Sequence, residues 1–393
     1  MDQTSPSNQR PTVTIPPNVP TPSPTGSNLP RDPKTIGLIV GIILLLILIG
    51  LGVYAAIRPD SRFSLTGPGG IFGELPLAGD QVADVVEQVT KNESGLSGRT
   101  CEHQNRRAIG VMLAGDPINR PVSGFAQADL VLEMPVLVSD VTRLTAFYQC
   151  GQPADIGSVR SARHDYLFMA EGWDAILGHW GGSYHALNRI AVGEFQTINA
   201  ITNPHNAYFR KTHLPAPYNG FTTYERLWNA LQQLGYRQET KFAGYTFQDD
   251  PPMDQRGQAR TLTIAWPGQF RVHYEYDPTT NKYQRFWAGV KQVDGEDNTT
   301  PVAPSAIAIM RAANGFADGP GGYNDMDIEG SGEAVVYQNG QEIKGTWEKN
   351  PTYKNEAVRF KDANGQEIPF TRGQVWVMAV EPEISITWET TGQ

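Results

Sequence analysis

The hydrophobic and polar positions of this chain fall into several clearly different patterns. Residues 1–34 are rich in Pro, Ser, Thr and Asn, with few large apolar side chains. This composition buries too little surface to offset the entropy of ordering, so we predict a disordered, cytoplasmic tail. Residues 35–57 carry no charge. A helix of that length spans about 34 Å, enough for the hydrocarbon core of a bilayer. The pattern therefore predicts a single N-terminal transmembrane helix.

A stalk with a short amphipathic helix is predicted over 58–95. Its first part is rich in Gly and Pro, whereas 80–91 places four Val residues on one helical face.

The next pattern, over 96–250, is globular. Strand-like segments come first and helix-like segments follow. The predicted strands cover 108–113, 128–133 and 143–148, and the predicted helices cover 161–173, 183–190 and 223–234. This order predicts an α+β or α/β module.

Beyond residue 258 the apolar positions alternate in strand fashion. Asn339-Gly340 and Asn364-Gly365 interrupt such runs, and Asn-Gly is a strong hairpin signal because type I′ turns need positive φ at both central residues. We therefore expect a small antiparallel β module over 258–390.

Composition and charge exclude a wholly disordered protein and disfavour a nucleic-acid-binding function. Hydrophobic residues make up 39% of the chain, with eight Trp, which excludes a wholly disordered protein. The net charge is −9, and residues 1–57 contribute a small positive charge. The remainder is therefore strongly acidic, which disfavours nucleic acid as a partner.

The charges flanking the predicted span indicate its orientation. Slightly more Lys and Arg precede it than follow it, which favours a cytoplasmic N-terminus and extracytoplasmic C-terminal domains at the cell membrane. Cys101 and Cys150 follow the span. In an oxidising compartment they can form one disulfide, and the alternative is two unpaired core residues.

No strong catalytic motif is present, but one segment is rich in polar groups. Arg160 and Arg163 lie three residues apart around Ser161, and Arg143 begins the predicted strand over 143–148. If Ser158 or Ser161 begins a helix, the guanidinium groups and first-turn N–H groups can hold a carboxylate or phosphate. The alternative is that these arginines pair with Glu133 or Asp140.

Two further segments extend this candidate site. His179 ends a predicted strand, Gly181 and Gly182 allow close approach of a ligand, and Ser183 can cap the next helix. The predicted ligand-binding residues are Arg143, Arg160, Ser161, Arg163, His179, Gly181, Gly182, Ser183, His205 and Asn206.

Neither a metal nor another cofactor is predicted. Five of the seven His fall between His164 and His213, but their spacing matches no zinc pattern. The segment 325–330 resembles the start of a calcium loop, but Val336 stands where a bidentate Glu is needed.

Several segments together resemble the YerB-like family of bacterial extracytoplasmic proteins, which are often lipoproteins. They include IGSVRSAR, GHWGGSYHA and PHNAYF in the first module and GSGEAVVYQNGQEIKGTWEK in the second. The resemblance implies two abutting modules and an envelope role, and it supplies no catalytic residues. The chain departs from the family pattern before Val141, where Val138, Ser139 and Asp140 stand, and in its apolar span in place of a lipidated Cys.

The leading functional hypothesis is a membrane-anchored envelope protein that binds a ligand or partner through this Arg, His and Gly cluster. Trp180 and Tyr184 would add aromatic surface, and a cell-wall polymer or another envelope protein would be the partner. One alternative is a cell-wall hydrolase or lyase that uses Glu133 or Asp140 with His179 or His205. A second alternative is a non-catalytic envelope scaffold.

Overall fold

A computed structural model describes residues 93–138, 141–319 and 321–390 of the protein. The predicted tail over 1–34, the predicted span over 35–57 and the amphipathic helix of the stalk lie outside these residues. No helix in the described part is long and apolar enough to cross a membrane.

Three α-helices and nine strands form the N-terminal half of the described chain. The helices are α1 (His164–Gly172), α2 (Tyr184–Ala191) and α3 (Tyr224–Gln233). The strands are β1 (Ile109–Ala114), β2 (Leu130–Pro135), β3 (Thr142–Tyr148), β4 (Ile156–Gly157), β5 (Ile176–His179), β6 (Thr197–Asn199), β7 (Tyr208–Arg210), β8 (Gly220–Thr222) and β9 (Phe247–Gln248).

The C-terminal half is built from strands joined by turns and short 3₁₀ segments. They are β10 (Arg260–Ile264), β11 (Val272–Asp277), β12 (Lys282–Trp287), β13 (Val290–Lys291), β14 (Ala306–Arg311), β15 (Asn314–Phe316), β16 (Asn324–Met326), β17 (Gly330–Gln338), β18 (Gln341–Lys349), β19 (Arg359–Asp362), β20 (Phe370–Thr371), β21 (Val375–Val380) and β22 (Ile386–Thr390).

Both halves contribute to one ten-stranded mixed sheet. Its order is β19-β18-β17-β14-β21-β2-β3-β1-β5-β6. The halves meet where β21 pairs in parallel with β2, with Leu130 opposite Val375. Every residue of β21 is buried, as expected for a strand covered on both faces. The central sheet is thus completed by five strands from the C-terminal half.

The predicted fold class is therefore wrong in two respects. The described chain is mostly β, with 22 strands and three α-helices, whereas an α+β or α/β first module was expected. The C-terminal strands also do not form a self-contained antiparallel module, because β14, β17, β18, β19 and β21 join the central sheet. The third element of the expected fold class, the transmembrane helix, has no counterpart among the described helices.

A second, five-stranded antiparallel sheet comes entirely from the C-terminal half. Its order is β13-β12-β11-β10-β22. It contributes Leu262, Tyr274 and Trp287 to the same buried cluster as Trp376 and Met378 of β21. Burial of these large side chains is the main stabilising term holding the two sheets together.

Local signals in the sequence set several of the observed elements. Asn339 and Gly340 have φ of 54° and 69° and join β17 to β18, which confirms that hairpin. The Ser183 hydroxyl accepts a hydrogen bond from the Ala186 N–H at 3.3 Å and caps α2, as predicted. Helix α1 instead begins at His164, and neither Ser158 nor Ser161 caps it.

Cys101 and Cys150 form a disulfide, which confirms the predicted pairing. Their Cα atoms are 5.7 Å apart. The bond ties the segment before β1 to the residues that follow β3.

Candidate functional site

Three predicted arginines converge on the segment that links β4 to α1. Arg143 lies on β3, and its Nη1 donates to the Ser161 carbonyl at 2.9 Å. Arg163 donates from Nη1 to the Ala162 carbonyl at 3.0 Å and approaches the Ser161 carbonyl at 3.5 Å. The predicted neighbourhood of Arg143, Arg160, Ser161 and Arg163 is thus present in the structure.

Extended backbone pairing holds this segment in place. The Arg160 N–H donates to the Met112 carbonyl, and the Trp180 N–H donates to the Arg160 carbonyl. The Val159 N–H donates to the Gly220 carbonyl. Residues 159–162 therefore lie between β1, β5 and β8, and the side chain of Arg160 projects from a fixed backbone.

Among the described residues, no carboxylate lies at ion-pair distance from Arg143, Arg160 or Arg163. Other basic residues of the described chain do form ion pairs, for example Arg107, Lys211 and Arg285. The Nε atoms of Arg160 and Arg163 are buried and have no hydrogen-bond partner among the described residues. The predicted alternative of pairing with Glu133 does not hold, because Glu133 pairs with Arg285, and Asp140, the other predicted partner, lies outside the described residues.

Burial and mutual repulsion change the protonation equilibrium of Arg143. Its side chain is buried. Loss of solvent, together with the positive charges of Arg163 and Arg160, lowers the pKa of Arg143 to about 9. The direction of this pKa shift is that of a cationic group without enough negative charge nearby.

A cavity of about 210 Å³ opens beside the arginines. Its lining residues are Val159, Arg160, Ser161, Trp180, Arg210, Ala216 and Pro217. The Arg160 guanidinium lies 4.9 Å from the centre of the Tyr218 ring, and that of Arg210 lies 4.2 Å from the centre of the Trp180 ring. Two guanidinium groups, each lying over an aromatic ring, thus line one small cavity.

Trp180 contributes less open surface than predicted. Arg210 stacks on its ring, and Gly220 packs so closely that a Cβ there would lie 2.5 Å from the indole. Tyr184 is 54% exposed, but its ring contacts His185 rather than the cavity.

The glycines after His179 shape the backbone at the edge of the site. Gly181 has φ of +67°, a conformation that favours glycine. Its carbonyl accepts a hydrogen bond from the Ala162 N–H, and Gly182 forms a parallel bridge with Ala162. The backbone of residues 181–183 therefore holds Ala162 in place by hydrogen bonds. None of these three residues lines the cavity.

His179 is buried, and its environment disfavours the charged form. Its Nδ1 lies 2.7 Å from the Gly181 carbonyl oxygen, so we assign the proton to Nδ1. Desolvation lowers the pKa of His179 to about 4. The imidazole is thus neutral near pH 7 and does not reach the cavity.

His205 and Asn206 are exposed, and both have positive φ in the turn before β7. This turn is held by Asn203, whose side chain makes two hydrogen bonds with the backbone of Tyr208. Neither His205 nor Asn206 lines the arginine cavity.

The described residues of the predicted hydrolase, Glu133, His179 and His205, do not lie together. Glu133 has no exposed surface and accepts hydrogen bonds from Arg285 at 2.7 Å and Thr142 at 2.9 Å. Asp140 lies outside the described residues. His179 is buried in the core and His205 lies on an exposed turn, so Glu133, His179 and His205 do not form an acid and base pair.

Two features of this region were not predicted from the sequence. Arg210 and Tyr218 come from β7 and the loop after it, and no local pattern linked them to Arg160. The second is a cluster in which His164 Nε2 lies 3.0 Å from the nearer oxygens of both Asp165 and Asp325. Burial lowers the pKa of His164, but the hydrogen bonds and charges of Asp165 and Asp325 outweigh it, so the net shift is upward.

Comparison with known proteins identifies the family. Residues 94–237 match the sequence pattern described as "Protein of unknown function (DUF3048) N-terminal domain", and residues 262–377 match its C-terminal domain. The chain belongs to the DUF3048 family. It is 29% identical over 309 residues to "Putative lipoprotein YerB" of Bacillus subtilis strain 168, covering 77% of this chain and 91% of that protein.

A solved structure supports this membership of DUF3048. The crystal structure of the YerB protein from Bacillus subtilis matches with a TM-score of 0.67 at 27% identity, covering 75% of this chain and 99% of that one. The fold and the family resemblance thus agree.

The DUF3048 relative also corrects the predicted anchor and location. By its name it is a putative lipoprotein, and a lipoprotein is held by a lipid rather than by a helix. The described residues contain no membrane-spanning helix. We therefore drop the single-pass anchor and the cell-membrane topology with a cytoplasmic N-terminus.

Proposed function

We propose that this protein binds an anionic ligand in the cavity lined by Arg160 and Arg210. Arg143 and Arg163 lie outside the cavity lining and would add positive charge near it. The observation that carries the proposal is a group of arginines around Ser161 whose charges no described carboxylate neutralises at ion-pair distance. A buried cation without a partner lowers stability. A carboxylate or phosphate would supply the missing charge and accept hydrogen bonds from the guanidinium groups.

The size of the cavity limits the ligand. A volume of about 210 Å³ is below the range of drug-sized pockets, so it accommodates one charged group and its immediate substituents. The rest of a larger molecule would extend into solvent past the exposed Arg210. This fits a terminal or side group of a polymer, and a carboxylate- or phosphate-bearing cell-envelope polymer is our proposed partner.

A hydrolase or lyase built on Glu133 and His179 is not favoured. A general acid or base must reach the reacting atoms, whereas both side chains are fully buried and already hydrogen-bonded to protein groups.

Isothermal titration calorimetry with the full chain tests the proposal. N-acetylmuramate would be compared with neutral N-acetylglucosamine, and glycerol 3-phosphate with glycerol. We expect an anionic member of one pair to bind and its neutral partner not to bind. The Arg160→Met variant should weaken binding at least tenfold, whereas Arg271→Met, which alters an exposed arginine outside the cavity, should leave it unchanged. Equal affinities for Arg160→Met and the wild type would refute the proposal.

A further inference from the structure

A second cluster of polar side chains lies at the start of α1, outside the arginine cavity. His164 and Asp165 are the first two residues of α1, and Asp325 lies on β16. One nitrogen and two oxygens from these residues lie within 4.8 Å of one another. The cluster thus joins segments about 160 positions apart in the chain.

Hydrogen bonding alone does not satisfy this arrangement. His164 Nε2 lies 3.0 Å from Asp165 Oδ1 and also 3.0 Å from Asp325 Oδ1. A ring nitrogen carries at most one proton, so it can donate well to only one of two carboxylates. One of the two carboxylates therefore lacks a hydrogen-bond donor at this nitrogen, and its negative charge is not fully balanced.

The two distances from His164 Nε2 to the carboxylate oxygens match those of neighbouring ligands around one metal ion. With bonds of about 2.1 Å, neighbouring ligands in octahedral geometry lie about 3.0 Å apart. A neutral imidazole nitrogen and two carboxylate oxygens are a suitable set for a divalent first-row transition ion.

The protein holds two of the ligands in place and leaves the third open. His164 and Asp165 are buried, whereas the Asp325 side chain is 63% exposed. The Asp165 Oδ2 atom faces the Asn324 side-chain amide at 3.3 Å and the Met326 N–H at 3.4 Å. An ion can therefore enter from the Asp325 side and meet ligands that are already oriented.

Unpartnered imidazole atoms lie beside the cluster. The His164 and His185 rings are 5.3 Å apart. His164 Nδ1 and His185 Nε2 are buried, and neither has a hydrogen-bond partner within the described part of the chain. Such groups are costly in a core and are typical of sites that hold a ligand or ordered water.

We propose that His164, Asp165 and Asp325 bind a divalent transition-metal ion, such as Zn²⁺ or Mn²⁺, with water completing its coordination. The ion cross-links α1 to the hairpin of β15 and β16. Arg163 directly precedes His164, and its guanidinium lies 4.8 Å from the centre of the Tyr323 ring. Occupancy of the metal site would therefore also hold Arg163 in position.

Metal titration of the full chain tests this proposal. The protein is prepared without a polyhistidine tag, stripped with EDTA, and titrated calorimetrically with Zn²⁺, Mn²⁺ and Ca²⁺. We expect one equivalent of a transition ion to bind and to raise the melting temperature. The Asp325→Asn variant, at an exposed position that should not disturb folding, should bind at least tenfold more weakly. Asp327→Asn, which changes an exposed carboxylate two residues away, is the matched control and should bind like the wild type.

Three results would overturn the proposal. They are the absence of stoichiometric transition-ion binding by the wild type, equal affinities for Asp325→Asn and the wild type, and equal losses in Asp325→Asn and Asp327→Asn. Binding of Ca²⁺ alone would contradict the assigned class of ion. Because these measurements use neither N-acetylmuramate nor glycerol 3-phosphate, and Asp325 lies outside the arginine cavity, their failure is distinguishable from failure of the anion-binding proposal.

Discussion

Glu133 and Arg285 form an ion pair that is fully withdrawn from solvent, with Arg285 Nη2 2.7 Å from Glu133 Oε2. Glu133 lies on β2 of the central sheet and Arg285 on β12 of the second sheet. The Arg285 guanidinium also lies 4.4 Å from the centre of the Trp287 ring and 4.7 Å from that of Trp376. The pair thus joins the two sheets at the centre of the fold.

Breaking this pair on one side should destabilise the protein strongly. Glu133→Gln leaves the Arg285 charge buried without a counter-charge, and we expect a loss of about 3–5 kcal/mol in the free energy of unfolding. Urea denaturation followed by Trp fluorescence measures it. The double variant Glu133→Leu, Arg285→Met should lose less than the single variant. A single variant as stable as the wild type would show that the pair is not structural.

Removing the charge of Arg143 should stabilise the unliganded protein. Its pKa is lowered by burial and by Arg163 and Arg160, so at pH 7 the folded state holds a cation that the unfolded state would solvate better. We expect Arg143→Met to raise the unfolding free energy by about 1–2 kcal/mol while weakening anion binding. A variant that is markedly less stable than the wild type would mean that the Ser161 hydrogen bond outweighs the charge.

The buried His179 should make stability fall in mild acid. Its pKa is about 4 in the folded state and about 6.5 in an unfolded chain. Between these values the unfolded state binds more protons, so stability decreases as the pH falls from 6.5 toward 4. Between pH 7 and pH 5, His179 should account for about 2 kcal/mol of the decrease in the free energy of unfolding. His179→Gln should lose that part of the pH dependence, and an unchanged slope would contradict the assignment.

Reduction of the Cys101–Cys150 disulfide should lower stability by relaxing the unfolded chain. The bond closes a loop with a sequence separation of 49 residues, for which the chain-entropy relation gives about 4 kcal/mol. Denaturation of Cys101→Ala, Cys150→Ala against the oxidised wild type measures the difference. A loss below about 1 kcal/mol would show that other contacts already fix these ends.

Elements with strong local signals could be predicted, whereas long-range pairing could not. The Ser183 cap and the Asn339-Gly340 turn act within a few residues, so α2 and the β17–β18 hairpin were predictable. Strand β21 pairs with β2, which places Leu130 opposite Val375. A short-range sequence pattern cannot predict which distant strand a buried strand pairs with. That pairing is why the two halves share one sheet.

The candidate site shows the same division. The spacing of Arg160 and Arg163 placed both side chains near Ser161, but it did not predict where α1 begins. The Ser161 hydroxyl donates to the Trp180 carbonyl at 3.1 Å, so it is not free to cap a helix. Asp325 belongs to a segment that fails as a calcium loop, and only the fold brings it to His164.

A crystal structure of the complex with the tighter-binding probe, N-acetylmuramate or glycerol 3-phosphate, tests the central claim most directly. We expect the carboxylate or phosphate to lie in the cavity beside Ser161, within hydrogen-bond distance of the Arg160 and Arg210 guanidinium groups. An anion bound elsewhere on the protein, or an empty cavity at saturating probe concentration, would contradict it.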